Sequence, residues 1–255
     1  MKSVKTALVL SAGGMWGAYQ AGAWKALESR LHFDLVVGAS AGSLNGWAIA
    51  GGVTGEELAE RWLDPRTAQL LRLRLPRLPW QGFFDPAPLE EMARDLFARF
   101  TPRVPFAGTL TEVPALRPRL VRGEEMTWQH LVAMCAIPMG FPPVRLNGRL
   151  YVDGGFLAAL PLWAAAELGA TRAIALDALP QMPAPLLRGA VSLVRRFAGP
   201  LPPASLEVFP VTTGRPLGSL RSAVHWSEKD IREWIRLGEQ DGLKLAVCRS
   251  IGSTA

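Results

Sequence analysis

Three short stretches of the chain combine residue types that could do chemistry. Gly38-Ala39-Ser40-Ala41-Gly42 is a G-x-S-x-G pattern. A serine on a tight turn between a strand and a helix exposes its hydroxyl at a helix N-terminus, where the dipole favours developing negative charge. The same residues also suit a plain helix start, with Ser40 as N-cap. Ala12-Gly13-Gly14-Met15-Trp16-Gly17 is a glycine turn. Backbone N–H groups free of bulky side chains let an anion approach, either a phosphate or the oxyanion of a tetrahedral intermediate. Asp153-Gly154-Gly155 supplies a carboxylate. A serine hydroxyl needs a base, and Asp153 qualifies if burial raises its pKa from about 4 towards neutrality. Taken alone, an ordinary Asp-Gly turn is the simpler reading.

Other chemistries fit less well. Ala12 breaks the dinucleotide spacing, and Asp34 lies near the start of the second strand rather than at its end, where a ribose would want it. No Gly-Lys-Ser/Thr follows the turn, which excludes a P-loop. His32, His130 and His225 are too far apart to suggest metal ligands. Cys135 and Cys248 form neither a disulfide framework nor a CxxC pair, so a reducing cytoplasm is the default. No metal and no cofactor are expected.

The elements that must position these residues follow from pattern. Residues 5–10 read as a buried strand, 18–30 as a helix, 33–37 as a second strand and 40–50 as a helix of small residues. That order, β-turn-α-β-turn-α, implies parallel strands joined by right-handed crossovers. Thr54 opens a helix running to about Leu63, and residues 64–86 are irregular. Residues 88–100 look helical, while the Pro-rich stretch 102–118 reads as extended chain or loop. Thr127 caps a helix that ends before Pro138. Val144-Arg145-Leu146 and Arg149-Leu150-Tyr151-Val152 alternate around Asn147-Gly148, the signature of a hairpin with a type I′ turn. That hairpin carries Asp153 to its far end. Helix is expected over 161–168, strand over 172–176 and 205–211, and a terminal helix over 227–248. The whole is expected to be one α/β domain over residues 1–255, three layers deep, with a mostly parallel central sheet.

The chain has 255 residues, 49% of them hydrophobic, which is enough for a large core. Its formal charge is +6, and all but five of its 28 basic residues are arginine. Guanidinium binds phosphate bidentately, so charge alone allows nucleic acid, anionic membrane or acidic substrates as partners. The run Ala7–Leu10 is shorter than a secretory core, and the uncharged stretch 35–53 holds too many small and polar residues for a membrane span. No transmembrane helix is expected.

Read together, the motifs resemble the patatin-like phospholipase family. The resemblance rests on Leu8-Val9-Leu10-Ser11-Ala12-Gly13-Gly14, Gly17-Ala18-Tyr19-Gln20-Ala21-Gly22, the Ser40 pattern, Ala136-Ile137-Pro138 with Phe141-Pro142-Pro143-Val144, and Tyr151-Val152-Asp153-Gly154-Gly155. It covers residues 5 to about 177. It implies a serine lipid acyl hydrolase, a phospholipase A or carboxylic ester hydrolase, using a Ser40–Asp153 dyad and no catalytic histidine. Gly13, Gly14 and Met15 would form the oxyanion hole, with Ala12, Gly17, Gly38, Gly42, Gly154 and Gly155 shaping the motifs. The chain departs from the family in three places. Ala12 replaces a glycine, Trp16 stands where Arg or Lys is usual, and Leu157-Ala158-Ala159-Leu160-Pro161 lacks the Asn that commonly precedes the Pro.

The expected partner is a lipid ester, without nucleic acid. Residues 66–84 mix Arg66, Arg72, Arg74 and Arg77 with Leu70, Leu71, Leu73, Leu75, Trp80, Phe83 and Phe84. Residues 186–198 set Arg188 and Arg195 beside Leu187, Ala190, Val191, Val194 and Phe197. Both suit peripheral contact with an anionic membrane, and equally loop anchors packed on the core. The expected location is the cytoplasm, possible contact with a membrane surface included. Three rival readings are a non-catalytic lipid-binding relative, an α/β-hydrolase using Ser40 with His225 and either Asp153 or Asp177, and a nucleotide-binding module.

Overall fold

A computed structural model describes residues 4–76, 78, 81–180, 189 and 194–252, with side chains as far as 246. β1 (Thr6–Leu10) is apolar throughout and lies inside the sheet, parallel to β2 (Leu35–Gly38) on one side and β7 (Arg172–Leu176) on the other. β3 (Phe106–Val113) continues the parallel set beyond β2, and β8 (Glu207–Val211) beyond β7. The antiparallel part consists of β4 (Arg117–Arg122) and the hairpin of β5 (Val144–Leu146) and β6 (Arg149–Asp153). Asn147 and Gly148 turn that hairpin at φ 49° and 79°, the left-handed values its sequence predicts.

Period-two alternation sorts the central strands onto two cores. Leu8, Leu10 and Val36 face a large cluster built with α1 (Gly17–Leu27), α2 (Ala41–Ala50), α3 (Gly55–Leu63), α4 (Ala87–Arg99) and α5 (Trp128–Met134). The terminal α7 (Glu228–Gly252) closes that side against α1. Ala7, Val9, Leu35 and Val37 face the opposite way, onto α6 (Leu162–Glu167). Helices therefore cover both faces of a mixed sheet, as expected of an α/β fold.

One region differs from its sequence reading. Residues 102–118 contain β3, which lies inside the sheet, and the start of β4. Prolines at both ends and polar Thr109, Thr111 and Glu112 obscure the strand. The threonines are buried because each finds a carbonyl: Thr109 Oγ1 donates to Gly38 O at 3.5 Å and Thr111 Oγ1 to Asp153 O at 3.1 Å. Residues 64–86 are irregular as expected, with a 3₁₀ turn at Pro65–Leu71 and a bridge between Leu73 and Phe84. Arg77, Trp80, Leu187, Arg188, Ala190 and Val191 lie outside the described residues, and with them most of the 186–198 segment; residues 194–198 are helical.

Candidate active site

β3 is the template that brings Ser40 and Asp153 together. β4 pairs along one of its edges over the whole of residues 107–112. The other edge is shared: β2 pairs with β3 up to Gly38 opposite Gly108, and β6 arrives from the opposite direction, ending with Asp153 opposite Leu110. Two strand ends thus converge on the stretch around Thr109. Both chains turn out of the sheet there, one through Ala39-Ser40 and the other through Asp153-Gly154.

The Ser40 turn is sharp. Ser40 has φ 54° and ψ −130°, an arrangement that costs a non-glycine residue about 1–3 kcal/mol. The surrounding backbone enforces it. Ala39 N–H donates to Leu10 O (3.1 Å), Gly42 N–H to Ala39 O (2.9 Å) and Ser43 N–H to Ser40 O (2.8 Å). A side chain at Gly38 would strike the Gly42 carbonyl, and one at Gly42 would come within 2.5 Å of the carbonyls of Leu10 and Ser11. The Ser40 side chain makes no cap to α2. Ser40 thus stands at the N-cap position of α2 without capping it; its hydroxyl acts instead on the Asp153 carboxyl, favouring the ionised form.

Asp153 is 4% exposed, and so is Ser40. Burial pushes the Asp153 pKa from 3.8 up to about 7, against the opposing effects of the Ser40 hydroxyl, the Gly155 N–H and the positive charge of Arg195. Gly155 N–H donates to Asp153 Oδ1 at 2.7 Å. A buried carboxyl that changes state near neutrality, under the influence of a strained serine hydroxyl, suits a proton acceptor.

The glycine turn completes the arrangement. Gly14–Trp16 form a 3₁₀ turn that leads into α1. Among the described residues, the N–H groups of Gly13, Gly14 and Met15 donate to no carbonyl. Gly14 and Met15 line the same cleft as Ser40. Gly14 has φ 57°, and a side chain there would collide with the carbonyl of Ala223. Ala12 is accommodated because its methyl packs beside Gly155, where a Cβ would approach it to 2.5 Å. Gly17 is hemmed in by Trp62 and Ala41, and Gly154 by Thr109.

Motif reading missed the buried polar network behind this turn. Gln20 Nε2 donates to Ser11 O (2.7 Å). Asn45 Nδ2 donates to Gly17 O and to Gln20 Oε1, both at 2.9 Å, while Asn45 Oδ1 accepts from Trp62 Nε1 at 3.0 Å. Ser11 O and Gly17 O, at the two ends of the turn, are thereby fixed to α1 and α2. The available signal was a Gln and an Asn at otherwise apolar helix positions, which burial permits only with partners.

Trp16 is 2% exposed, belongs to the core and donates from Nε1 to Ser222 Oγ at 3.3 Å. It does not line the cleft, so it neither blocks nor charges the oxyanion site. The Asn missing after Asp153 has a counterpart: Arg195 donates to Gly155 O and Phe156 O. His225 is exposed, whereas Asp177 is largely buried beside Ser11 and Leu179. His130 serves the cap of α5, where its Nδ1 accepts from Thr127 N–H. Among the described residues no cluster of three His, Cys, Asp or Glu could hold a metal ion, and no helix is long and apolar enough to cross a membrane.

The cleft at Ser40 opens to solvent and has a cavity volume of about 50 Å³. Apart from the Ser40 hydroxyl and the Cys135 thiol its walls are apolar, with Leu44, Trp62, Leu71, Met92 and Phe141 prominent. Its rim comes from two loops joined by Phe83 N–H to Met139 O (3.1 Å) and Phe84 N–H to Gly140 O (2.8 Å). In these two loops Leu75 is 96% exposed, and Leu73 and Met139 are each 75% exposed.

A sequence model of patatin-like phospholipases matches residues 8–166. Neuropathy target esterase sws of Drosophila melanogaster is 27% identical over 179 residues, 67% of this chain and 12% of the fly protein. An uncharacterised NTE family protein of Mycobacterium bovis is 29% identical over 186 residues, 69% of this chain and 49% of that protein. The chain therefore spans half or less of these relatives. In fold it is similar to VipD from Legionella pneumophila, with a TM-score of 0.50 and 12% identity over 96% of this chain and 67% of that one.

Proposed function

The chain belongs to the patatin-like phospholipase family, and we propose that it is a serine carboxylic ester hydrolase that cleaves lipid acyl esters through Ser40 and Asp153. The observation that carries this reading is the convergence of two buried turns on one edge of β3, one bearing a strained Ser40 at the wall of an apolar cleft and the other bearing the buried Asp153 carboxyl. Ser40 Oγ attacks the ester carbonyl carbon as its proton passes to the Asp153 carboxylate. The oxygen that becomes negative is held by the N–H groups of Gly13, Gly14 and Met15, each donor contributing about 3 kcal/mol to lowering the barrier. Collapse of the tetrahedral intermediate breaks the ester C–O bond, and Asp153 returns the proton to the departing alcohol. Water then attacks the acyl-serine by the same route and releases the fatty acid. The apolar lining matches the chemistry of an acyl chain, which leaves the polar part of the substrate towards the open side.

A lipid surface suits the exposed rim as partner. Leu73, Leu75, Phe83 and Met139 offer exposed apolar side chains in the two hydrogen-bonded loops, with Arg72 and Arg74 neighbouring them in sequence. Arg72 pairs with Asp85, so attraction to anionic headgroups is expected to be modest and apolar insertion dominant.

A fluorophosphonate probe should label the wild-type protein and leave Ser40→Ala unlabelled. The same pair incubated with a mixed lipid extract should differ in released fatty acid. Equal labelling, or equal release, would sink the proposal. Vesicles of anionic phospholipid at low salt should bind the wild type, and Leu75→Asp with Met139→Asp should bind them less.

A further inference from the structure

Immediately after Asp153 the chain turns through Gly154–Phe156. Two successive carbonyls of this turn accept from one guanidinium: Arg195 Nη2 donates to Gly155 O at 2.7 Å and Nε to Phe156 O at 3.0 Å. Nε and one Nη are the rigid paired donors on an edge of the arginine fork, so the two bonds fix both the position and the plane of the turn. Gly155 links this clamp to the carboxylate, because its own N–H donates to Asp153 Oδ1.

Arg195 is half-buried, and its two hydrogen-bond acceptors are neutral. Among the described residues it makes no direct ion pair, and its charge acts on Asp153 through space. The groups acting on the Asp153 carboxyl come from four segments: the Ser40 hydroxyl, the Cys135 thiol after α5, the Gly155 N–H and the Arg195 guanidinium. Only the last carries a permanent charge. Arg195 also lies beyond residues 8–166, in a part of the chain the family match does not reach.

We propose that Arg195 is a positioning residue for the Ser40–Asp153 pair, clamping the turn behind the carboxylate and placing one positive charge beside it. This rests on the dyad reading above. The charge favours the ionised carboxylate, the form that accepts the serine proton. Without it the neutral acid persists to higher pH, and activity at neutral pH falls.

The experiment is the pH dependence of kcat/KM on a soluble short-chain phenyl ester, for full-length wild type, Arg195→Gln, Arg195→Lys and Asp153→Asn, with folding followed by circular dichroism. Arg195→Gln should move the acid limb upward by about one pH unit, lose about fivefold at pH 7 and recover most of it by pH 9. Arg195→Lys keeps the charge but loses the fork, so its limb should stay in place while its plateau falls. An unmoved limb in folded Arg195→Gln, with or without a uniform loss, would overturn the proposal. Should Arg195→Gln fail to fold, a shifted limb or an undiminished plateau in Arg195→Lys overturns it equally. Turnover retained in Asp153→Asn would instead remove the dyad itself; an inactive Asp153→Asn with an unmoved Arg195→Gln limb removes only the role of Arg195.

Discussion

The turn that carries Ser40 and the turn that carries Asp153 leave the same edge of β3 from opposite directions, yet they are held differently. Ser40 is strained, and the contacts that shape its turn come mostly from the first fifty residues: the carbonyls of Leu10 and Ala39, the glycines at 38 and 42, and the start of α2. Asp153, by contrast, has φ −47° and ψ 126°, with no left-handed strain. Its placement depends on Thr111, Ala136 and Arg195, all remote in sequence. The nucleophile is thus built locally, by backbone geometry. The base is built by tertiary contacts, and its chemistry comes from burial.

Substitutions can break this comparison at several points. The largest effect is expected at Asp153→Asn, which keeps the shape of the side chain but removes the base; kcat should fall by about 10³-fold or more. The wild-type rate should fall about tenfold per pH unit below the carboxyl pKa of about 7. Stability should move the other way. The folded carboxyl holds its proton to a higher pH than the unfolded one, so wild-type stability declines between about pH 4 and 7. Asp153→Asn should accordingly raise Tm at pH 8 by a few degrees, and not at pH 4, as read by thermal unfolding.

Asn45→Ala tests the support on the nucleophile side. It strands Gly17 O, Gln20 Oε1 and Trp62 Nε1, and should cost about 3 kcal/mol in denaturant unfolding. Turnover should drop about 10- to 100-fold as the oxyanion turn loosens. Ser40→Gly separates strain from chemistry. It should abolish turnover yet raise stability by about 1 kcal/mol, because glycine tolerates the positive φ. A loss of stability there would mean that the turn is not strained. The smallest effect is expected at His225→Ala. This exposed residue should leave stability within about 0.5 kcal/mol and turnover within about twofold. A large loss of turnover would restore the serine–histidine reading.

The hairpin of β5 and β6 and the β-turn-α-β-turn-α opening were legible because each rests on local signals: a two-residue Asn-Gly turn, apolar runs of strand length, and glycine turns between strand and helix. β3 was not legible. Its threonines and flanking prolines look like loop until Gly38 O and Asp153 O are present to accept from Thr109 and Thr111. Trp16 was legible as a departure from the family, but its place in the core was not, because only packing shows that its ring turns towards Ser222.

Local geometry follows from residue type, so the sequence alone determined that residues 38–42 form a tight turn at a helix start, that residues 12–17 form a glycine turn between strand and helix and that Asp153 ends a hairpin. Whether these three meet is a matter of strand order. Only the tertiary structure decided that β2 and β6 share one edge of β3, that burial lifts the Asp153 carboxyl to about 7 and that Arg195 reaches back to the turn behind it. Burial, field and convergence are properties of the surroundings, and those are assembled from residues far apart in the chain.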